Sequence, residues 1–327
     1  MRLIGLAVVL AVTLLAPLVV DAQEISKSAR VGVLTPITPA AVRQAPVFVA
    51  LRDGLAQLGY REGQNLVLEV RSAERQTALG GPAQELVQLK VDVIVAVGVA
   101  SARSAKSVTQ TIPIVGVAVG GDPVAMGLAQ SFARPGGNFT GFLHGETETG
   151  KSLQLMQEAL PKLTRVGLVW NPDNPIVRDF FDRWDAEARA RGLSLRSIRA
   201  TNLEELDAAF ASLAAEKSRA VFVNGDPVWV VHSKRAAEIG LRHRIAAIWG
   251  HLEIAQAGGL MAYAPDIVEQ GRQAAGYVKK ILDGAKPGDL PLQNPNRWAL
   301  VVNLKTAKAI GVTLSPATLT RADQIIE

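Results

Sequence analysis

The sequence predicts an α/β protein of two doubly wound, parallel-sheet lobes with a hinge between them, and three observations carry that reading. From Arg30 onward, short β-branched runs alternate with longer segments of helical period, the pattern of parallel strands joined by crossover helices. The run Asp92 to Val97 is nearly all apolar, which implies a strand buried on both faces of a helix-covered sheet. Finally, Arg165-Val166-Gly167-Leu168-Val169 repeats the character of Arg30-Val31-Gly32-Val33-Leu34 at the head of a second such series, in a chain of 327 residues, more than one core usually organises.

Ahead of the fold, Met1-Arg2 places a positive charge before the apolar run Leu3 to Val20, which closes on Val20-Asp21-Ala22. This is the layout of a secretory signal peptide cleaved after Ala22, and it predicts a protein exported to the periplasm. A membrane anchor is the alternative, since the run approaches the ~20 residues that cross a bilayer; Pro17 and the small Ala22 favour cleavage. Cys is absent, so no lipid anchor on a Cys, no disulfide and no thiolate metal site is expected. Hydrophobic residues make up 48% of the chain and charged ones 20%, as in globular α/β proteins. The net charge of +5 is scattered among acidic residues, with no basic stripe of the kind nucleic acid requires.

In the first series, Val31 to Leu34 is a strand, and Phe48, Leu51, Leu55 and Leu58 recur at helical spacing up to a capping Gly59. Leu66 to Val70 is the next strand, Gln84 to Leu89 ends a helix, and Asp92 to Val97 follows. A helix from about Ser101, a strand over Pro113 to Val119 and a short helix from Val124 complete the set. The turn formers Arg134-Pro135-Gly136-Gly137-Asn138 then interrupt the pattern, and the first lobe boundary falls near residue 142, with the hinge near Gly141. The second series runs through helix Ile176 to Arg191, strand Leu193 to Ile198, helix Leu203 to Lys217, and strands Ala220 to Val223 and Ala246 to Trp249 with a helix between them.

Open parallel sheets bind ligands beyond the C-terminal ends of their strands. Thr35, Pro36, Gly98, Val99, Ala100, Ser101, Gly121 and Asp122 occupy such positions in the first lobe, and Trp170, Asn171, Asn174, Asp226, Trp229, Trp249 and Gly250 in the second. Gly98 to Ser101 open a helix whose free N–H groups favour a carboxylate, although Ser101 also suits a plain N-cap. Asp226 is placed to neutralise an ammonium group, with capping of the following helix as the alternative, as also for Asp122. The three indoles suit stacking on a flat ligand or a place in the core. The His residues, at 144, 232, 243 and 251, form no metal motif, and no nucleophile elbow or phosphate loop is present, so neither an enzyme nor a cofactor is expected. His251 with Glu253 is the one pair on these loops that suits base chemistry.

Several stretches together resemble the ABC transporter substrate-binding proteins of the tryptophan- and tyrosine-binding type. They are Gly54 to Leu66, Val91 to Ala96, Gly121 to Val124, Ala133 to Gly141, Ala257 to Tyr263, Ile281 to Pro287 and Val302 to Lys308. Tyr263, in the fifth of them, completes the candidate ligand-binding set. The resemblance implies a type I periplasmic-binding fold, a small organic ligand held between the lobes, and a partner permease with its ATPase. It also implies that the chain crosses between lobes more than once. The first lobe then takes residues 30–142 and about 264–288, the second 143–263 and about 289–310, and 311–327 is a tail. Docking on a receptor or kinase as a sensor is the alternative, with a periplasmic enzyme behind it. Two departures stand out: Gly80-Gly81 replaces the usual Leu-Pro helix start, and Asn224-Gly225-Asp226 differs from the Asp-Asn pairing of amino-acid-binding members.

Overall fold

The computed structural model describes residues 28–73, 75–145, 149–174, 178–295 and 298–327; the expected signal peptide lies outside the described residues. Five strands, β1 (Ala29–Thr35), β2 (Leu66–Ser72), β3 (Val93–Val97), β4 (Ile114–Val119) and β5 (Phe139–Leu143), form one sheet in the order β2-β1-β3-β4-β5. Every neighbouring pair in it is parallel. The order reverses direction between β1 and β3, which opens a crevice at their C-terminal ends. Helices α1 (Pro39–Val42), α2 (Pro46–Gln57), α3 (Gly80–Gln88) and α4 (Val99–Val108) make the crossovers.

Alternation along β3 shows why its apolar run is continuous. Val93 and Val95 point to a core with Phe48, Leu51 and Leu55 of α2. Ile94 and Ala96 point the other way, to Leu86 of α3 and Ala102 and Ala105 of α4. Each face of the sheet is thus buried under its own helices, and only apolar side chains satisfy both.

The second sheet has seven strands: β6 (Arg165–Trp170), β7 (Ser194–Arg199), β8 (Ala220–Val223), β9 (Ala246–Trp249), β10 (Met261–Pro265), β11 (Trp298–Asn303) and β12 (Gln324–Ile326). Their order is β12-β11-β10-β9-β8-β6-β7. All pairs are parallel except β10 with β11. Around them lie α5 (Thr149–Ala159), α6 (Arg178–Ala190), α7 (Leu203–Ala215), α8 (Pro227–Val231), α9 (Ser233–His243), α10 (Leu252–Gln256), α12 (Leu304–Ile310) and α13 (Pro316–Arg321). The same two-faced split recurs: Phe222 and Ile248 enter one core with Trp184, while Val221, Val223 and Trp249 enter another with Phe210.

Between β10 and β11 the chain returns to the first sheet, where α11 (Ile267–Leu282) packs on α2 and β4. The chain therefore passes between the sheets three times, after β5, after β10 and before β11. Near the last passage, Gln293 bridges to Phe142 at the end of β5.

Two expectations need correction. The segment after Val124 forms turns, not a helix; its N-terminal carboxylate, Asp122, accepts from Val124 and Ala125 N–H and closes a turn with nothing to propagate it. Residues 311–327 are not a tail, since α13 packs there and β12 pairs in parallel with β11. Gly141 stands two residues before the end of β5, where the first passage between the sheets begins. It lies inside β5 at φ +136, and a Cβ there would fall 2.2 Å from the Gly116 carbonyl oxygen, so it lets β4 and β5 approach. Among the described residues, no helix is long and apolar enough to cross a membrane.

Candidate functional site

The C-terminal strand ends of the two sheets face each other across a cavity of about 580 Å³. From the first sheet, Thr35 and Pro36 follow β1, Gly98, Val99 and Ala100 follow β3, and Gly121 and Asp122 follow β4; all of them line it. From the second, Asn174 follows β6, Asn224, Gly225 and Pro227 follow β8, and His251 and Glu253 follow β9. His144 and Ile267, at two of the passages between sheets, also line it.

Local chemistry explains the turns. Gly98 takes φ +81 and swings the chain from β3 into α4, a left-handed conformation that side chains resist. The first amides of α4 then lie at the cavity wall with no capping side chain. In β4, Ala118 takes φ +53 where the register with β5 slips between Gly116 and Val119. Its N–H is held by Gln270 Oε1 at 3.0 Å, while Gln270 Nε2 donates to the Leu143 carbonyl at 2.9 Å. One α11 side chain thus ties this bulge to the end of β5.

Half of the sequence-expected set does not line the cavity. Ser101 is fully buried behind the wall, and among the described residues its hydroxyl has no hydrogen-bond partner. Trp229 and Trp249 lie in the apolar core beneath, Trp249 stacked on Phe210 with centroids 6.0 Å apart. Trp170 donates from Nε1 to Ser197 Oγ at 2.7 Å and carries Arg199 over its ring, away from the cavity. Tyr263 packs on Trp298 at 5.3 Å. Gly250 serves a close approach, since a Cβ there would fall 2.4 Å from Gly225 N. Asn171 is buried and turns its side chain to Asp173 N–H and to Asp226.

Asp226 is the most informative departure. Its Oδ1 caps α8 by accepting from Val228 N–H at 3.1 Å. Its Oδ2 accepts from Gln76 Nε2 at 2.7 Å and from Asn174 Nδ2 at 3.3 Å. Gln76 belongs to the first sheet's connections, so this buried contact joins the two lobes beside the cavity. Burial drives the Asp226 carboxyl up to about 6, against the lowering effect of these donors.

Residues absent from the expected set also line the wall, among them Gln76, Arg103, Met126, His144, Arg183, Val230 and Ile267. Arg103 lies one turn beyond Val99, a spacing that a closer reading of α4 would have found. Gln76, His144 and Ile267 lie on connections whose course only the fold reveals. Burial holds His144 down to about 4 and His251, which also faces His144, down to about 3. Glu253 is raised, first by burial and then by Asp266. Among the described residues, no group of three His, Cys, Asp or Glu side chains is placed to hold a metal ion.

Comparison with known proteins agrees with this architecture. The tyrosine-binding protein of Clostridioides difficile strain R20291 is 26% identical over 264 residues, which cover 78% of this chain and 74% of that one. A crystal structure of a conserved domain protein from Vibrio cholerae superposes with a TM-score of 0.82 at 27% identity, over 91% of this chain and all of that one. An ABC domain from Streptococcus pneumoniae in complex with L-Trp has the same fold, with a TM-score of 0.80 at 22% identity and the same coverage. The sequence profile of a family described as ABC transporter substrate binding protein matches residues 30–326. The chain belongs to the family of ABC transporter substrate-binding proteins.

Proposed function

We propose that this chain is exported through cleavage of residues 1–22, captures a small amino-acid-like solute between its lobes in the periplasm, and delivers it to an ABC permease and its ATPase. The observation that carries the reading is a cavity of about 580 Å³ walled by strand-end loops of both sheets, the size and placement of a small-molecule site. Val97, Val99, Met126, Val230 and Ile267 supply an apolar wall. Among the described residues no Phe, Tyr or Trp lines it, so an aliphatic body is held as readily as an aromatic one. The uncapped amides of α4 and the nearby Arg103 suit an acid group on the solute. Support for amino-acid-like chemistry also comes from the relatives named for tyrosine and crystallised with tryptophan.

A thermal-shift screen against amino acids, amines, carboxylic acids and sugars tests the reading. A solute present at one hundred times its Kd stabilises the folded form by about 2.7 kcal/mol, a shift of several degrees. Unmoved melting across the whole panel would remove solute capture.

A further inference from the structure

We propose that Glu253, with His251 beside it, forms the subsite that takes a protonated amine of the solute. The proposal rests on the capture reading and replaces Asp226 in a role its residue type had suggested. Asp226 is only 1% exposed, does not line the cavity, and already accepts from Val228, Gln76, Asn171 and Asn174. A carboxylate so fully hydrogen-bonded has nothing left for a ligand.

Glu253 is in the opposite state. It lines the cavity from the first turn of α10, with its side chain 13% exposed. Among the described residues no other residue donates a hydrogen bond to its carboxyl group; its own backbone N–H alone turns to it. His251 Nδ1 lies 4.0 Å from Glu253 Oε2, beyond hydrogen-bonding reach, so neither group satisfies the other. A nearly buried carboxyl group without a cationic partner is costly, and burial accordingly favours its protonated form. A solute ammonium supplies the missing charge and the missing donors at once: one N–H to the Glu253 carboxylate and a second to a ring nitrogen of neutral His251. Asp122, the other carboxylate on the wall, is exposed and closes its own turn through Val124 and Ala125 N–H, so Glu253 with His251 is the enclosed acceptor pair for a cation.

Calorimetry on the whole protein with matched pairs tests the assignment. The probes are L-leucine, L-methionine, L-tyrosine and L-tryptophan, each beside the carboxylic acid of the same skeleton lacking the amine. The amine-bearing member of the best pair should bind at least about 30-fold more tightly. Glu253→Gln, checked for an unchanged melting temperature within a few degrees, should erase most of that ratio while leaving the amine-free acid's affinity as it was. Asp226→Asn should alter both members alike and leave the ratio standing. Equal binding of both members, or a ratio that survives Glu253→Gln, overturns the amine site and leaves solute capture intact. Silence from every member of every pair overturns both.

Discussion

Asp226 and the two buried histidines give this fold opposing responses to pH, each with a sign that follows from its surroundings. The Asp226 carboxyl rises from 3.8 to about 6 on folding, so between those values the folded chain holds more protons than the unfolded one. Stability from this group therefore falls as pH rises through that window, and the cost is complete above about pH 6, on the order of 3 kcal/mol. His144 and His251 act the other way. They stay neutral when folded, while the unfolded chain takes up protons below 6.5, so their contribution is lost as pH falls from 6.5 toward 4. Asp226→Asn retains an oxygen to cap α8, and Asn is a good N-cap. Measured by urea unfolding, its stability relative to wild type should improve by up to about 3 kcal/mol between pH 4 and pH 7. A difference that does not change with pH would show that the carboxyl is not the source. The sequence alone placed Asp226 correctly at a helix start, since Asp before Pro signals one. It did not reveal that Gln76, 150 positions away, would consume the other carboxylate oxygen. Glu253 was visible only as a loop acid beside a histidine, because burial and the lack of a partner are properties of the folded cavity.

Elements were more legible than sites, because periodicity is a local property. β8 and β9 begin and end where the β-branched runs do, and α7 follows its helical period, with Asn202 accepting from Glu205 N–H and Glu205 accepting from Thr201 N–H. β5 escaped notice because Phe139–Leu143 is short, follows a cluster of turn formers and contains Gly141. The return of residues 264–288 to the first lobe was implied by the resemblance, but the packing of α11 on α2 was hidden, since it depends on glycines whose purpose is contact. At Gly271 a Cβ would fall 2.5 Å from the Val47 carbonyl oxygen, against backbone that cannot swing aside. At Gly276, in the same helix, a Cβ would meet nothing within 4 Å. Alanine favours a helix interior over glycine by up to about 1 kcal/mol, so Gly276→Ala should raise stability by that amount. Gly271→Ala should instead lose about 1–3 kcal/mol through overpacking. It should also weaken solute binding, because Pro46 and Val47 of α2 line the cavity. Equal gains at both positions, read from thermal melts, would mean that the two helices are not held this closely.

At the scale of the whole molecule, the capture proposed above requires two arrangements of the lobes, and the contacts across the cavity rim are the candidates for what holds them together. Among the described residues, two polar side-chain links span it: Arg75 to Asp173 at 3.1 Å and Gln76 to Asp226 at 2.7 Å. They are neighbours in sequence but not in strength. Arg75 is 70% exposed, so its ion pair is screened and contributes about 1 kcal/mol or less. Gln76 and Asp226 are both buried, and opening the lobes separates a hydrogen bond to a charged group, a contact with a net value of about 1.5–3 kcal/mol. Gln76→Ala should therefore shift the solute-free protein toward the open arrangement by roughly 10- to 100-fold, whereas Arg75→Ala should change it little. Spin labels on α3 and α7, read as a distance distribution, would report the shift directly. Solute affinity should fall in proportion to the lost closed fraction, while the distance in the saturated complex stays that of wild type. Were Gln76→Ala and wild type to show the same distribution without solute, the buried amide would be packing and not a latch, and closure would have to be set by the three connecting passages alone.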